Sequence, residues 1–197
     1  MINSYFFVET LSPLLSEGEI IVTGVGTAYT GTHQSIKLKK NQRLISNIGC
    51  GGMGYGLPAA IGAAIAAKRR IILLDGEGGF QLNIQELQTV VHHKLPIKMF
   101  ILNNNGYLAL RITQNNYFKR FGGIDEETGI SFPDLSKIAY AYGIPYIKTN
   151  SQKQLEKDIV WTLKQKGSVL HDIIMPHDQE LYSSIKMSKF SSNKKGS

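Results

Sequence analysis

The sequence predicts an α/β fold of the doubly wound kind, a mostly parallel sheet with helices on both faces. Short apolar runs alternate along the chain with stretches whose apolar residues recur at helical spacing. The strand-like runs are apolar throughout, which is typical of parallel strands covered on both faces. Glycine- or asparagine-rich turns follow three of these runs. Since ligands of such folds bind at the carboxyl ends of the strands, these turns are the candidates for a binding site.

The first half of the chain predicts two helices and two strands. Apolar spacing indicates a helix over 6–15, and a β-branched run indicates a strand over 19–25. An alanine-rich stretch with Pro58 in its first turn predicts a helix over 57–68, because proline is favoured there. An uninterrupted apolar run predicts the next strand over 70–75.

The second half continues the alternation. We predict helices over 84–93, 107–118, 134–142 and 152–166, and strands over 97–102, 146–148 and 168–175. Residues 1–182 therefore form one predicted domain. Residues 183–197 are rich in serine and lysine and offer few residues to bury, which predicts a flexible tail.

Composition narrows the class of protein. Of the 197 residues, 42% are hydrophobic and 19% are charged, which is ordinary for a soluble globular protein. No apolar run approaches the roughly 20 residues of a membrane span, and no signal peptide opens the chain, so we expect a cytoplasmic protein without membrane contact. The single cysteine, Cys50, fits a reducing compartment and is expected to be a small buried residue. Part of the net charge of +7 comes from the tail, so nucleic-acid binding is not expected.

One candidate motif is a dinucleotide-binding fingerprint. Gly49, Gly51 and Gly54 match G-x-G-x-x-G, a helix follows, and Asp75 ends the next strand. This pattern predicts an NAD(P)-binding domain of an oxidoreductase. Against it, the run that leads into the glycines, 44–48, is short and polar, and the fingerprint leaves the later turns unexplained.

A second motif uses more of the chain. Gly76-Glu77-Gly78-Gly79-Phe80 follows one buried strand, Asn103-Asn104 follows the next, and 27 positions separate Glu77 from Asn104. This pattern resembles the signature of thiamine-diphosphate enzymes, in which G-D-G precedes N-N by about the same interval. The segments FQLNIQEL and LPIKMFILNN resemble the acetolactate-synthase group in particular, and the likeness runs from about residue 19 to residue 179.

The resemblance implies a Mg²⁺ site. Glu77 takes the place of the family's metal-binding aspartate, Asn104 gives its side-chain oxygen and Gly106 its backbone carbonyl. A carboxylate, an amide oxygen and a carbonyl suit Mg²⁺, which prefers oxygen ligands in octahedral geometry and keeps positions for phosphate oxygens and water. Glutamate is one methylene longer than the family's residue. A register that used Asp75 instead would give 29 positions to Asn104 and lose the match that follows.

The resemblance also implies the cofactor-binding residues. Backbone groups of Gly78 and Gly79 face the diphosphate, and the turn at Gly26 cradles its other side. The carbonyl of Gly51 and the N–H of Met53 meet the aminopyrimidine, and the Met53 side chain props the cofactor into its bent form. The full set comprises Gly26, Thr27, Ala28, Gly51, Met53, Gly76, Gly78, Gly79, Asn104, Gly106, Tyr107 and Leu108.

The implied function is that of the diphosphate-binding half of an acetolactate-synthase-like enzyme, a lyase or transferase acting on 2-keto acids. In this family the catalytic glutamate lies in a pyrimidine-binding domain, which we expect to be absent from this chain. We therefore expect a homo-oligomer, or a hetero-oligomer with a pyrimidine-binding subunit. The alternatives are the NAD(P)-binding domain and a cofactor-binding remnant without activity. The sequence assigns no catalytic residue within this chain.

Overall fold

The computed structural model describes residues 1–182, and the predicted tail at 183–197 lies outside the described residues. Six strands form one sheet in which every pairing is parallel. They are β1 Ile20–Thr23, β2 Arg43–Ile45, β3 Ile71–Gly76, β4 Ile97–Asn103, β5 Tyr146–Thr149 and β6 Val169–Ile174. The strand order is β2-β1-β3-β4-β6-β5. The predicted doubly wound α/β fold is therefore confirmed.

Eight α-helices surround the sheet in the described part of the chain. They are α1 Ser4–Leu14, α2 Thr27–Ser35, α3 Gly56–Ala67, α4 Glu77–Gln81, α5 Leu87–His92, α6 Leu108–Tyr117, α7 Leu135–Ala141 and α8 Gln152–Lys164. Helices α3, α5 and α7 cover one face, and helices α1, α2 and α8 cover the other. Successive strand residues belong to the two cores in turn: Leu73 lies in the core on the α3 face, whereas its neighbour Leu74 lies in the core on the α1 face.

The connections create a crevice between β1 and β3. The chain passes from β1 outward to the edge strand β2, and then returns across β1 to β3 on its other side. At such a reversal the loops that leave the two central strands diverge, which opens a crevice at their carboxyl ends. The turns that follow β1, β3 and β4 all lie at these carboxyl ends of the strands.

At the amino ends of the strands, a buried lysine joins the sheet to the C-terminal end of helix α8. Lys98 on β4 is 1% exposed, and its Nζ donates to the carbonyl oxygens of Gln165 and Gly167, at 2.7 and 2.6 Å. These carbonyls lie just beyond the C-terminus of α8, where a helix leaves acceptors unpaired and favours a cation. Burial lowers the pKa of Lys98 to about 8.

Several local expectations were wrong. Helix α2 and the edge strand β2 were not predicted, and the single helix expected over 84–93 is a 3₁₀ turn, Ile84–Glu86, followed by α5. Cys50 is exposed, because it lies in the turn between β2 and α3 rather than under a helix. Among residues 1–182 no helix has the length and apolar character needed to cross a bilayer.

Candidate functional site

A cavity of about 330 Å³ opens at the carboxyl ends of β1, β3 and β4. Its walls come from the turns that follow these strands, from the loop before α3 and from the first turn of α6. All but one of the residues expected at a cofactor site line it: Gly26, Thr27, Gly51, Met53, Gly76, Glu77, Gly78, Gly79, Asn104, Gly106, Tyr107 and Leu108. The fold thus brings together turns that are up to 82 residues apart in the sequence.

Glu77 is a buried carboxyl at the floor of this cavity. It is the first residue of α4, directly after β3, and it is 3% exposed. Burial raises the pKa of Glu77 to about 7, although hydrogen bonds from backbone N–H groups lower it. The N–H of Gly106 donates to Oε1 of Glu77 at 2.8 Å, which joins the turn after β3 to the turn after β4.

The side chain of Asn104 lies between two oxygen acceptors. One end of its amide is 3.0 Å from Oε1 of Glu77 and 2.7 Å from the carbonyl oxygen of Gly106. With the amide nitrogen at that end, Asn104 donates to both acceptors. With the amide oxygen there, the amide, carboxyl and carbonyl oxygens face one another, an arrangement that a bound cation or a proton on Glu77 would stabilise.

The two separations at Asn104 are compatible with ligands of one Mg²⁺ ion as well as with hydrogen bonds. Metal–oxygen distances of roughly 2.0–2.1 Å in an octahedron place neighbouring ligand oxygens about 2.9 Å apart. The two separations at Asn104 bracket that value. Within residues 1–182 no group of three or more His, Cys, Asp or Glu side chains could hold a metal ion.

Glycine at position 78 is required by the packing of Tyr107. A Cβ atom at Gly78 would lie 2.1 Å from Cε1 of Tyr107, so the ring covers the start of α4 without room for a side chain. The Tyr107 ring is in turn held edge-on by Phe132, with ring centroids 5.3 Å apart. Close approach of the backbone at 78 and 79 leaves the N–H groups of the first turn of α4 beside the cavity.

Helix α2 presents its N-terminus to the cavity. Gly26 caps the helix with a φ of 67°, a conformation that favours glycine, and Thr27 and Tyr29 line the cavity beside it. Ala28 is the exception among the expected residues. Its side chain is 1% exposed and packs in the core under α1 and α2, because the helix turns this position toward the sheet. Only its backbone N–H remains available at the helix start.

The loop before α3 forms the outer wall. Gly51 has a φ of 59°, and Met53 is 40% exposed at the cavity mouth. The side-chain amide of Asn83 donates to the carbonyl oxygen of Gly54 at 2.7 Å and fixes the far end of the loop. Nothing lies within 4 Å of a Cβ built at Gly49 or Gly51, so this wall is open on its outer side.

Known proteins match the chain over most of its length. A profile of the family described as "Thiamine pyrophosphate enzyme, C-terminal TPP binding domain" matches residues 24–173. The chain belongs to this family. The match includes every turn that lines the cavity, and thiamine pyrophosphate is the compound named thiamine diphosphate above.

Several acetolactate synthases are similar to this chain in sequence. Acetolactate synthase 2, chloroplastic, of Zea mays is 32% identical over 186 residues, or 91% of this chain and 29% of the relative. Acetolactate synthase 3, chloroplastic, of Brassica napus is 33% identical over 183 residues, 89% of this chain and 28% of the relative. The acetolactate synthase large subunit of Porphyra purpurea is 34% identical over 170 residues, 85% of this chain and 28% of the relative. The chain spans less than a third of the length of these relatives.

Membership of the thiamine pyrophosphate family disfavours the dinucleotide interpretation of Gly49, Gly51 and Gly54. The fold gives a physical reason as well. These glycines follow the edge strand β2, which is three residues long, and reach α3 only after an exposed turn. A dinucleotide fingerprint instead joins a strand tightly to the N-terminus of the next helix.

Asp75 has a buried carboxyl whose packing was not predicted from the sequence. It is 1% exposed, burial raises its pKa to about 7, and its Oδ1 accepts the N–H of Gly76 at 2.9 Å. A Cβ at Gly24, Gly56 or Gly79 would lie 1.8, 2.3 or 2.9 Å from one of its carboxyl oxygens. Asp75 therefore packs at the point where the turns after β1 and β3 meet the start of α3.

Other cavity residues were not predicted. Tyr29, Asn47, Ile48 and Leu110 line the cavity together with the expected set. Tyr29 was missed because helix α2 was missed, and no motif marks the other three. His92-His93, a conspicuous pair in the sequence, is exposed at the end of α5 and lies outside this cavity.

Proposed function

We propose that the chain binds thiamine diphosphate and Mg²⁺ as the diphosphate-binding half of an acetolactate-synthase-like enzyme that acts on 2-keto acids. The observation that carries this proposal is the approach of one end of the Asn104 amide to a carboxylate oxygen of Glu77 and the carbonyl oxygen of Gly106 on the floor of the cavity. A buried carboxylate beside an amide oxygen and a carbonyl is a donor set that Mg²⁺ satisfies. The same cation offsets the cost of ionising Glu77 in its buried position.

The backbone around the metal supports a role in holding the diphosphate. In our proposal the N–H groups of Gly78 and Gly79 donate to it from one side, and those at Gly26, Thr27 and Ala28 from the other. Helix starts leave N–H groups without intrahelical partners, and those groups attract anions. For Ala28 the proposal involves the backbone alone, because its methyl group is buried in the core.

The upper walls suit the organic part of the cofactor. We assign Gly51 and Met53 to the aminopyrimidine, with the Met53 side chain beneath the bend of the cofactor, and Gly76, Tyr107 and Leu108 to the adjacent walls. Bound thiamine diphosphate supplies carbanion stabilisation at its thiazolium ring. The contribution of this chain is to orient that ring and to keep it in a largely apolar, water-poor cavity.

A partner surface completes the proposal. Three apolar side chains line the cavity while remaining solvent-exposed: Ile48 is 67% exposed, Leu110 45% and Met53 40%. Exposed apolar side chains grouped at a cavity mouth are typical of a binding surface. We propose that a pyrimidine-binding half, which supplies the catalytic glutamate, covers this mouth. That half belongs to a second copy, to a different subunit or to a further part of the same polypeptide.

The remaining assignments follow from this function. The enzyme is a lyase or transferase that releases or transfers a unit from a 2-keto acid, and it acts as an oligomer. Its proposed location is the cytoplasm, in keeping with a single cysteine. The alternative within the same family is a remnant that binds the cofactor without turning over substrate. Decarboxylation of a 2-keto acid by the chain together with a pyrimidine-binding half would exclude the remnant.

A thermal-shift experiment tests the binding function. Thiamine diphosphate with Mg²⁺ at about 100 times its dissociation constant should stabilise the chain by about 2.7 kcal/mol. For a domain of this size, that corresponds to a rise in Tm of roughly 5–10 °C. The expected ranking is a large shift with both ligands, a small shift with thiamine diphosphate and EDTA, and none with NAD. A shift with NAD alone would instead support the dinucleotide interpretation and overturn the proposal.

A further inference from the structure

The turn that carries Asn104 and Gly106 is poorly supported by packing on its rear side. Behind it lie two further cavities, of about 390 and 340 Å³, and Asn103 and Asn105 line both of them. The turn is therefore a thin wall between the candidate cofactor cavity and these rear cavities. Asn105 has a φ of 53°, a left-handed conformation that asparagine adopts more readily than most residues and that is common in tight turns.

The side chain of Asn103 clamps this turn from within. Its Oδ1 accepts the backbone N–H of Asn105 at 3.1 Å, which closes the turn across Asn104. Its Nδ2 donates to Oδ1 of Asp172 on the neighbouring strand β6, at 3.0 Å. Both ends of one amide are thus used: one end shapes the turn, and the other anchors it to the sheet.

Asp172 is held in a position that suits this anchor. It is 3% exposed, and its second oxygen, Oδ2, accepts the hydroxyl of Tyr146 on β5 at 2.9 Å. A carboxylate offers only acceptors, so it fixes which end of the Asn103 amide faces β6 and which faces the turn. The chain of contacts runs from Tyr146 through Asp172 and Asn103 to the N–H of Asn105.

We propose that Asp172 and Asn103 are positioning residues that hold the turn at 103–106 in the geometry in which Asn104 and Gly106 direct their oxygens at the cation. This inference rests on the proposed function. Neither side chain reaches the cofactor cavity: both lie on the other side of the turn, in the walls of the rear cavities. Partners that orient metal ligands from behind typically change metal affinity by roughly 10- to 100-fold when they are removed.

The test compares four variants by calorimetric titration of thiamine diphosphate across a Mg²⁺ series, with Tm measured in parallel. Asp172→Ala should raise the half-saturating Mg²⁺ concentration by roughly 10- to 100-fold. Asp172→Asn keeps an acceptor for Asn103 and should restore most of the Mg²⁺ affinity. Tyr146→Phe removes one hydroxyl without opening the core, and should give a smaller loss in the same direction. It carries the test if Asp172→Ala fails to fold.

The matched control is Thr162→Val. Thr162 is fully buried and its hydroxyl lies 2.8 Å from Nδ1 of His171, the residue beside Asp172 on the same strand, but it has no link to the turn. This variant should lower Tm and leave the Mg²⁺ dependence as in the wild type. Unchanged Mg²⁺ dependence in Tyr146→Phe and Asp172→Ala would overturn the positioning role, as would an equal loss in Thr162→Val. Wild-type protein that binds no thiamine diphosphate at any Mg²⁺ concentration would refute the proposed function itself, and this inference with it.

Discussion

Replacing Glu77 with glutamine is expected to weaken Mg²⁺-dependent binding of thiamine diphosphate by at least about 100-fold. This exceeds the usual effect of removing a residue that only hydrogen-bonds to a metal ligand. Glutamine keeps the shape of the side chain and an oxygen that can accept the N–H of Gly106. It removes the single carboxylate of the three-oxygen set, and with it the negative charge that favours a divalent cation. Calorimetric titration of the cofactor, with and without Mg²⁺, measures this loss.

The same substitution should stabilise the unliganded fold. The pKa of Glu77 is about 7 in the folded chain, above its ordinary value of 4.5, so the folded protein binds this proton more tightly than the unfolded one. Ionisation therefore costs stability as pH rises from about 4.5 through 7, and the full cost, on the order of 3 kcal/mol, is present at pH 8. Glutamine avoids that cost, so at pH 8 the variant should unfold at a higher temperature than the wild type.

The opposite signs of the two effects separate a metal ligand from a residue that is merely important for folding. Glu77→Asp is the matched control, because it keeps the charge and restores the residue that the family usually has. It should retain Mg²⁺-dependent binding. If glutamine at position 77 bound the cofactor with unchanged Mg²⁺ dependence, Glu77 would not be a ligand.

Gly24→Ala is expected to be among the most destabilising single substitutions in the chain, at about 3 kcal/mol. The added Cβ would lie 1.8 Å from Oδ1 of Asp75, a carboxyl that is 1% exposed, so relieving the clash requires other buried groups to move. Gly56 and Gly79 also lie beside this carboxyl, since a Cβ at either would lie within 3 Å of a carboxyl oxygen. Chemical denaturation of the unliganded protein measures the change in the free energy of unfolding.

A second glycine and a double variant test this cause. Gly62, in α3, has nothing within 4 Å of its Cβ position, so Gly62→Ala should stabilise the protein by roughly 0.5–1 kcal/mol through helix propensity. Asp75→Ala should relieve the clash, so that Gly24→Ala costs far less in its presence than alone. Equal losses for Gly24→Ala in both backgrounds would show that the carboxyl does not exclude a side chain at 24.

Apolar pattern was sufficient to predict the sheet, because a strand such as β3 buries consecutive residues on two opposite cores. It failed for helix α2, whose sequence TAYTGTHQS is rich in threonine and contains Gly31. Such residues favour a helix poorly, and this helix forms because it packs against α1. The burial of the Ala28 side chain could not be predicted for the same reason, since only the helix reveals that it faces the core.

Glu77 and Asn104 were predictable from the sequence, because they belong to one motif and follow strands that are adjacent in the sheet. The contacts that hold the turn at 103–106 in place were not predictable. The contact of Asn103 with Asp172 joins residues 69 positions apart, and no local pattern marks an aspartate inside an apolar strand as a partner of that turn. Equally, the sequence does not reveal that Gly24 and Gly56 both confine Asp75, because that contact exists only when β1, β3 and α3 are packed together.

The most direct test of the account is the position of the metal in crystals of the chain grown with thiamine diphosphate and Mn²⁺, an anomalous scatterer that also prefers oxygen ligands in octahedral geometry. We expect one anomalous peak in the cavity, within bonding distance of a carboxylate oxygen of Glu77, the amide oxygen of Asn104 and the carbonyl oxygen of Gly106. A peak bound by other residues, or cofactor bound in the cavity with no metal at these three oxygens, would contradict it.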